Sequence, residues 1–231
     1  MLIFIHGLWA TGDVWRPFIQ YFKDRNFDCN AINLRDGLDI RKTCFRDYVN
    51  KVKAVATKND ILIGHSMGGL IVQKVAEEMV IKGGVAICSA PPKGIKFRKS
   101  MIFSSAKYLP KVIMKKPFKP SFPFVKKFFL NCVGEKAWDI YNTLEPESAT
   151  IAYELIMSKI EVDERKVRCP LLFIATRDDI ASHPEMVKQM AKKYNAECVV
   201  EEGCHWIFDR WRSIAERIQE FIIEIYKKYE I

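Results

Sequence analysis

One stretch of the sequence constrains the fold more than any other, the turn Gly64-His65-Ser66-Met67-Gly68, which is followed by a further glycine. A short apolar run at 61–63 precedes it, and a helical pattern of apolar residues follows. Strand, sharp turn and helix form the setting in which G-x-S-x-G presents a serine hydroxyl at the tip of the turn. Gly64 and Gly68 lack the Cβ that would clash there, and the helix directs free N–H groups at the serine. Ser66 is therefore the predicted nucleophile.

The rest of the chain alternates between strand and helix patterns. Strands are predicted at 2–5, 29–34, 61–63, 85–89, 171–175 and 197–201, and helices at 14–23, 40–57, from 67 onward, 184–194 and 209–229. Such alternation predicts an α/β fold with a mostly parallel, open sheet of about six strands and helices on both faces.

The alternation stops at Pro91-Pro92, and residues 93–167 are helical and irregular in pattern. A segment of about 75 residues between two strands is too long for an ordinary loop. We expect it to be a helical lid or cap inserted into a core of residues 1–92 and 168–231, above the carboxyl ends of the strands, where open α/β sheets bind ligands.

The predicted lid carries the positive charge of the protein, whose formal net charge is +9. Between Glu78 and Glu135 there is no acidic residue, but there are twelve lysines and arginines. Three interpretations remain open: a solvated outer face over an apolar pocket, attraction to anionic lipid or to an anionic substrate, and nucleic-acid binding. No recognition motif accompanies the charge, so no nucleic-acid partner is predicted.

Length and apolar content, 231 residues and 49% hydrophobic, fit one globular domain with or without an inserted subdomain. No apolar run approaches the roughly 20 residues that span a bilayer, and no cleavage region follows the first strand. The seven cysteines form no CxxC pair, which favours reduced, buried thiols, with a Cys198–Cys204 disulfide as the alternative. A cytoplasmic location is the resulting expectation.

A serine nucleophile needs a base, and the chain has four histidines. His205 lies between the last strand and the last helix, in a loop able to reach the serine, and is the predicted base. His65 points away from its neighbour on the turn, and His183 lies in a polar loop. His6 is better placed to brace the loop after the first strand than to act as a base.

The acid that orients the histidine is predicted at the end of the strand at 171–175. Asp178 is favoured because apolar residues at its +2 and +3 positions would pack beneath the loop, and Asp179 is the alternative. The backbone N–H groups of Leu8 and Met67 are the predicted oxyanion donors. Trp9, His6 and Trp206 are expected to line the substrate pocket.

These motifs together resemble the α/β-hydrolase fold superfamily. The similarity runs through His6-Gly7-Leu8-Trp9, the GHSMGG turn, Ser89-Ala90-Pro91-Pro92, Arg177-Asp178-Asp179 and Gly203-Cys204-His205-Trp206. The resemblance implies a triad of Ser66, Asp178 and His205, oxyanion donors at Leu8 and Met67, and no metal or organic cofactor. By this resemblance the sequence begins at what would be the family's third strand, so we expect a sheet of about six strands without the family's usual first hairpin.

The leading functional hypothesis is a carboxylic-ester hydrolase working through an acyl-enzyme, with a small-molecule, apolar ester of a medium acyl chain or an aromatic group as substrate. The same triad also serves acyl transfer, thioester hydrolysis and cleavage of a carbon–carbon bond beside a ketone. A third hypothesis is a non-catalytic protein whose basic lid docks on a membrane or an acidic partner. The sequence gives no expectation for the oligomeric state.

Overall fold

A computed structural model describes residues 1–229 of the chain. Its centre is one six-stranded sheet in which every neighbouring pair of strands is parallel, in the order β2-β1-β3-β4-β5-β6. The strands are β1 Leu2–Ile5, β2 Cys29–Ile32, β3 Ile61–His65, β4 Gly83–Ile87, β5 Leu171–Thr176 and β6 Glu197–Glu201. The predicted six-stranded parallel sheet is confirmed.

The strand order creates the place where the site is built. The chain runs from β1 to β2 on one side and then returns to add β3 on the other side of β1. The loops after β1 and β3 therefore diverge and leave a crevice at their carboxyl ends. Ile5 pairs with Gly64, so the loop that begins at His6 lies beside the turn that carries Ser66.

Ten α-helices occur within residues 1–229. They are α1 Arg16–Lys23, α2 Phe45–Val55, α3 Met67–Glu78, α4 Lys99–Ser105, α5 Leu109–Ile113, α6 Phe122–Phe128, α7 Ala137–Thr143, α8 Ala149–Ile156, α9 Pro184–Lys193 and α10 Trp211–Tyr229. None of them is both long and apolar enough to cross a bilayer.

Helices cover both faces of the sheet because the strand side chains alternate between two apolar cores. Ile3 and Ile5 of β1 pack with α2, α3 and α9, whereas Leu2 and Phe4 pack with α1 and α10. β1, β3, β4 and β5 are buried along their whole length, as expected for parallel strands covered on both sides.

Several predicted boundaries differ from the structure by a few residues, and two helix starts have a clear local cause. The helix expected at 40–57 begins only at Phe45, because a turn closes first, with the N–H groups of Lys42 and Thr43 donating to the Asp39 carbonyl. The first helix begins as a 3₁₀ turn, Gly12–Trp15, whose N–H at Asp13 is capped by the Thr11 hydroxyl.

Residues 93–167, here called the insert, connect β4 to β5 and contain α4 to α8. Their division from the core as a separate lid domain stays a prediction. One buried cluster joins the insert to the core: the Glu147 carboxylate accepts from Arg35 at 3.1 Å and from the Tyr48 hydroxyl at 2.6 Å. Burial, and then the charge of Glu147, raises the pKa of Tyr48 far above its ordinary value. Removing Arg35 would leave the charge of Glu147 buried and uncompensated, which typically costs about 3–5 kcal/mol.

Candidate active site

Ser66 stands at the tip of a strained turn between β3 and α3. Its backbone has φ 57° and ψ −116°, a conformation that L-residues rarely adopt. The turn is possible only because its neighbours are glycines. A Cβ on Gly64 would lie 2.1 Å from the Gly68 carbonyl oxygen, and a Cβ on Gly68 would lie 2.2 Å from the Ile5 carbonyl oxygen. Sequence and packing thus both fix the position of the hydroxyl.

His205 lies between Ser66 and a carboxylate. Its Nε2 is 2.9 Å from the Ser66 Oγ, and its Nδ1 is 2.8 Å from Asp179 Oδ2. An ionised carboxylate only accepts hydrogen bonds, so Nδ1 carries the proton and Nε2 is left to accept from the serine hydroxyl. The imidazole is thereby held in the tautomer that a general base requires.

The structure places Asp179, and not the favoured Asp178, beside His205. Asp178 is exposed, and its hydrogen bonds to the other residues of 1–229 are made through its backbone, whose N–H donates to the Gly203 carbonyl and whose carbonyl accepts from the Asn131 side chain. Asp179 is buried, and its second carboxylate oxygen accepts the Ser182 N–H at 2.8 Å. A turn closed by the Asp179 N–H and the Thr176 carbonyl directs the second aspartate inward, which corrects the prediction.

The loop that carries His205 is attached to the core and to the insert. The His65 Nε2 donates to the His205 carbonyl at 2.8 Å, and the Thr176 hydroxyl donates to the Cys204 carbonyl at 2.9 Å. From the insert, the Phe129 carbonyl accepts the Trp206 N–H at 3.1 Å. The Phe129 ring also lies 5.2 Å from the His205 ring, centroid to centroid. These contacts hold the imidazole in position over Ser66.

A disulfide joins Cys132 of the insert to Cys204, the residue before His205. The prediction that all the cysteines are reduced is therefore wrong for this pair, and the alternative partner, Cys198, is a free thiol. The two bonded cysteines are 72 residues apart, and no spacing motif marks Cys132 in the sequence. The bond adds a covalent attachment between the insert and the loop of His205.

The predicted oxyanion donors lie on either side of Ser66. Met67 is the first residue of α3, where a backbone N–H has no partner within the helix. Leu8 follows Gly7, and a Cβ on Gly7 would lie 2.9 Å from the Ser66 Cβ, so this loop packs directly on Ser66. Their role as donors stays a prediction.

The other candidate residues have different surroundings. Trp9 and Trp206 line the cavity next to Ser66, but His6 does not and lies fully buried beneath it. The His6 Nδ1 donates to the Gly7 carbonyl at 2.8 Å, and its Nε2 accepts the Leu34 N–H at 3.1 Å. Burial lowers the pKa of His6 to about 4, so it is a neutral brace at physiological pH. His183 caps α9 by accepting the Met186 N–H.

The cavity above Ser66 has a volume of about 400 Å³. Its walls are almost entirely apolar and come mainly from the insert: Met101, Ile102, Tyr108, Val112, Phe124, Phe129, Leu130 and Leu155. Ser66 and His205 lie at its floor. An apolar cavity with few polar groups at one end is typical of a small-molecule site.

Within residues 1–229, one trio of side chains brings potential metal ligands together, namely Cys88, Asp179 and His205. Their ligand atoms lie within 4.8 Å of one another. However, Asp179 and His205 are already hydrogen-bonded to each other, and burial raises the pKa of the Cys88 thiol well above its ordinary value. A protonated thiol is a poor metal ligand, so the Cys88 thiol is better explained as part of the buried surroundings of Asp179 than as a metal ligand.

Comparisons with known proteins agree with this architecture. The lipase-esterase related protein from Clostridium acetobutylicum ATCC 824 superposes with a TM-score of 0.73 at 20% identity, covering 95% of this chain and 93% of that one. A structure from a study of carboxylesterases of Nitrososphaera gargenis gives 0.74 at 16% identity over 98% and 91% of the two chains. The monoacylglycerol lipase of Paleococcus ferrophilus gives 0.72 at 18% identity over 97% and 94%.

At these identities the structural neighbours establish the fold alone. No curated protein sequence matches the chain. The sequence model described as the alpha/beta hydrolase family matches residues 2–217, nearly the whole chain. That match spans the turn of Ser66, the carboxylate of Asp179 and the loop of His205, and the chain therefore belongs to the alpha/beta hydrolase family.

Proposed function

We propose that this chain is a serine hydrolase that cleaves carboxylic esters through an acyl-enzyme, with Ser66 as nucleophile, His205 as base and Asp179 as acid. The single observation that carries the proposal is the pair of hydrogen bonds on the two sides of the His205 ring, 2.9 Å to Ser66 and 2.8 Å to Asp179. Nucleophile, base and orienting acid in such contact are the parts that acyl transfer to a serine requires.

In the proposed mechanism the Ser66 Oγ attacks the acyl carbon while its proton moves to the His205 Nε2. Asp179 stabilises the imidazolium that forms. The negative charge on the former carbonyl oxygen is received by the N–H groups of Leu8 and Met67, and each such donor is typically worth about 3–4 kcal/mol of barrier. His205 then protonates the leaving alkoxide, and water, deprotonated by the same base, hydrolyses the acyl-enzyme.

The lining of the cavity supports an apolar substrate. A volume of about 400 Å³ bounded by aliphatic and aromatic side chains accommodates a medium acyl chain or an aromatic group and offers little to a charged one. Carboxylesterases and a monoacylglycerol lipase are among the proteins with a similar fold. An ester with an apolar acyl or aromatic part is therefore the proposed substrate class.

Labelling of the folded protein by a fluorophosphonate probe tests the proposed nucleophile. We expect stoichiometric labelling of Ser66, loss of labelling in Ser66→Ala, and loss of ester hydrolysis by at least about 10³-fold in that variant. Equal labelling of Ser66→Ala, or no labelling of the wild type, would contradict the proposal.

A substrate panel then tests the reaction. We expect hydrolysis of p-nitrophenyl esters, with kcat/KM rising from acetate to medium chains as more of the apolar wall is contacted, by about tenfold for every 1.4 kcal/mol gained. Acyl thioesters, β-diketones and an added acceptor alcohol in the same assay distinguish thioester hydrolysis, carbon–carbon cleavage and acyl transfer. Turnover of one of these with no ester hydrolysis would keep the triad and overturn the ester assignment.

The cytoplasmic location expected from the sequence stays a prediction. Its premise of reduced thiols is weakened by the Cys132–Cys204 disulfide, because such bonds persist mainly in oxidising compartments.

A further inference from the structure

The most exposed large apolar side chains of the described residues lie close together in the insert. Phe103 and Ile113 are each 75% exposed and Met114 is 72% exposed. They belong to, or directly follow, the short helices α4 and α5, which are linked by a single 3₁₀ turn, Ala106–Tyr108. Isolated exposed apolar residues are ordinary, but a group of three within twelve positions is a candidate contact surface.

The same stretch is strongly basic and its charges are uncompensated. Residues 96–116 contain seven basic side chains and no acidic one: Lys96, Arg98, Lys99, Lys107, Lys111, Lys115 and Lys116. All seven are exposed, and among residues 1–229 none of them forms an ion pair. This differs from the basic residues of the core, many of which pair with a carboxylate, as Lys74 does with Glu77. We call Phe103, Ile113, Met114 and these seven residues the insert face.

The insert face is continuous with the mouth of the cavity. α4 and α5 turn Met101, Ile102 and Val112 toward the cavity, while Phe103 and Ile113, one position away, point to solvent. Leu109, in the same short helix as Ile113, lines the cavity and is itself 48% exposed. Met157, which directly follows α8, also lines the cavity and is 49% exposed. The cavity lining thus reaches solvent at Leu109 and Met157, and Leu109 lies four residues from Ile113 of the insert face.

From this arrangement we infer that the insert face docks on anionic lipid surfaces and so presents the mouth of the cavity to the bilayer. Exposed apolar side chains enter the boundary between headgroups and acyl chains, and unpaired lysines around them are attracted to anionic headgroups. The two helices have seven and five residues and are separated by a turn. Helices of this length present at most about two turns to a partner helix, whereas a bilayer requires only projecting apolar groups with cations around them.

Binding to large unilamellar vesicles tests the inference with the full chain. We expect co-sedimentation with vesicles of 30% phosphatidylglycerol in phosphatidylcholine, at least tenfold weaker binding to pure phosphatidylcholine, and a similar loss at 0.5 M salt. Ser66→Ala should bind as the wild type does, which separates docking from hydrolysis. Failure of the wild type to bind the anionic vesicles overturns the inference, whatever the outcome of the labelling experiment.

Two variants of the insert face and one matched control locate the binding. Phe103→Ser/Ile113→Ser/Met114→Ser and Lys107→Gln/Lys111→Gln/Lys115→Gln/Lys116→Gln should each weaken binding at least tenfold. The control Val55→Ser/Val80→Ser/Ile223→Ser removes three exposed apolar residues outside the insert and should bind normally. Circular dichroism checks that each variant is folded. If the triple variant does not fold, Ile113→Ser alone takes its place, and we expect it to weaken binding measurably.

Equal weakening by the control contradicts the assignment of the face, as does full binding by both insert variants. Soluble polyglutamate supplies anionic charge without a lipid surface. If it competes fully with the vesicles at equal charge, the attraction is to acidic polymers in general, and the lipid inference is wrong.

Discussion

The core and the insert meet at the same cavity but hold their parts of it in different ways. The core places Ser66 through backbone contacts so close that a single Cβ at Gly64 or Gly68 would lie within 2.2 Å of another residue's carbonyl oxygen. The insert forms its wall from short helices of five to eight residues, and its own glycines at 94 and 134 have open space around them. The chemistry is therefore fixed by the backbone of the core, whereas the shape of the cavity depends on replaceable side chains.

Exchanging glycine for alanine in the two regions tests this comparison most severely. In Gly68→Ala the new Cβ meets main-chain atoms of Ile5 and His6, which cannot move without breaking the sheet. We expect loss of more than about 4 kcal/mol of stability, or no folded protein. Gly134→Ala adds a Cβ in open space at φ 69° and should lose only about 1–2 kcal/mol. Urea unfolding measures both, and comparable losses would show that the two regions are equally constrained.

Neighbouring aspartates in the core give the next largest effect. Asp179→Asn leaves the shape unchanged but removes the carboxylate that selects the Nδ1–H tautomer of His205, so kcat should fall about 10³–10⁴-fold, or roughly 4–5 kcal/mol of barrier. Asp178→Asn retains the backbone groups through which that residue is bonded and should change kcat less than about twofold. Steady-state hydrolysis of one good ester compares them. The reverse order would restore Asp178 as the acid.

The disulfide that ties the two regions together gives the third prediction. Cys132→Ser removes a cross-link over 72 residues and should reduce the free energy of unfolding by about 2–4 kcal/mol. It should also lower kcat/KM, because the loop of His205 loses one attachment. Cys198→Ser, which alters a free thiol, is the control. In the denatured wild type, thiol titration should find five free cysteines before reduction and seven after it; seven at the start would contradict the bond.

Part of the pH dependence of stability should come from His6, the buried brace of the core. His6 has a folded-state pKa of about 4 against about 6.5 in the unfolded chain, so between these values only the unfolded chain binds the proton. Its contribution, about 3 kcal/mol, is complete above pH 6.5 and disappears as the pH falls toward 4. His6→Gln should be less stable at pH 7, and its difference from the wild type should shrink on acidification. A constant difference in urea unfolding from pH 7 to pH 4 would contradict this account.

Much of the core follows from local patterns in the sequence. Apolar runs such as residues 2–5, bounded by turn residues, predict buried parallel strands because a two-sided parallel sheet excludes polar side chains. The glycines around Ser66 predict the turn, and His205 is predicted as the base because it lies in the loop between the last strand and the last helix. Each of these features depends on a short stretch of chain, so it can be predicted from a single sequence.

The features that the sequence does not reveal depend on contacts over long separations. Asp178 and Asp179 are adjacent, and only the turn closed at Thr176 decides which of them points inward. Cys132 lies in an irregular stretch whose path over the core no periodicity predicts. His6 is predicted both to brace its loop and to line the pocket, and the hydrogen bond from the N–H of Leu34, 28 residues away, keeps its ring out of the cavity. Each of these outcomes is decided by tertiary packing.

The hold of the insert on the loop of His205 has a consequence for recombination. The Phe129 carbonyl and the Cys132 sulfur are both bonded to that loop. Residues 129–132 of the insert therefore also help to position His205. A chimera in which another protein's insert replaces this one, in order to change selectivity, would need to retain residues 129–132 or to include an equivalent attachment to the loop of His205. Exchanging the whole insert between β4 and β5 would supply a new cavity wall, but the His205 loop would lose both of these attachments.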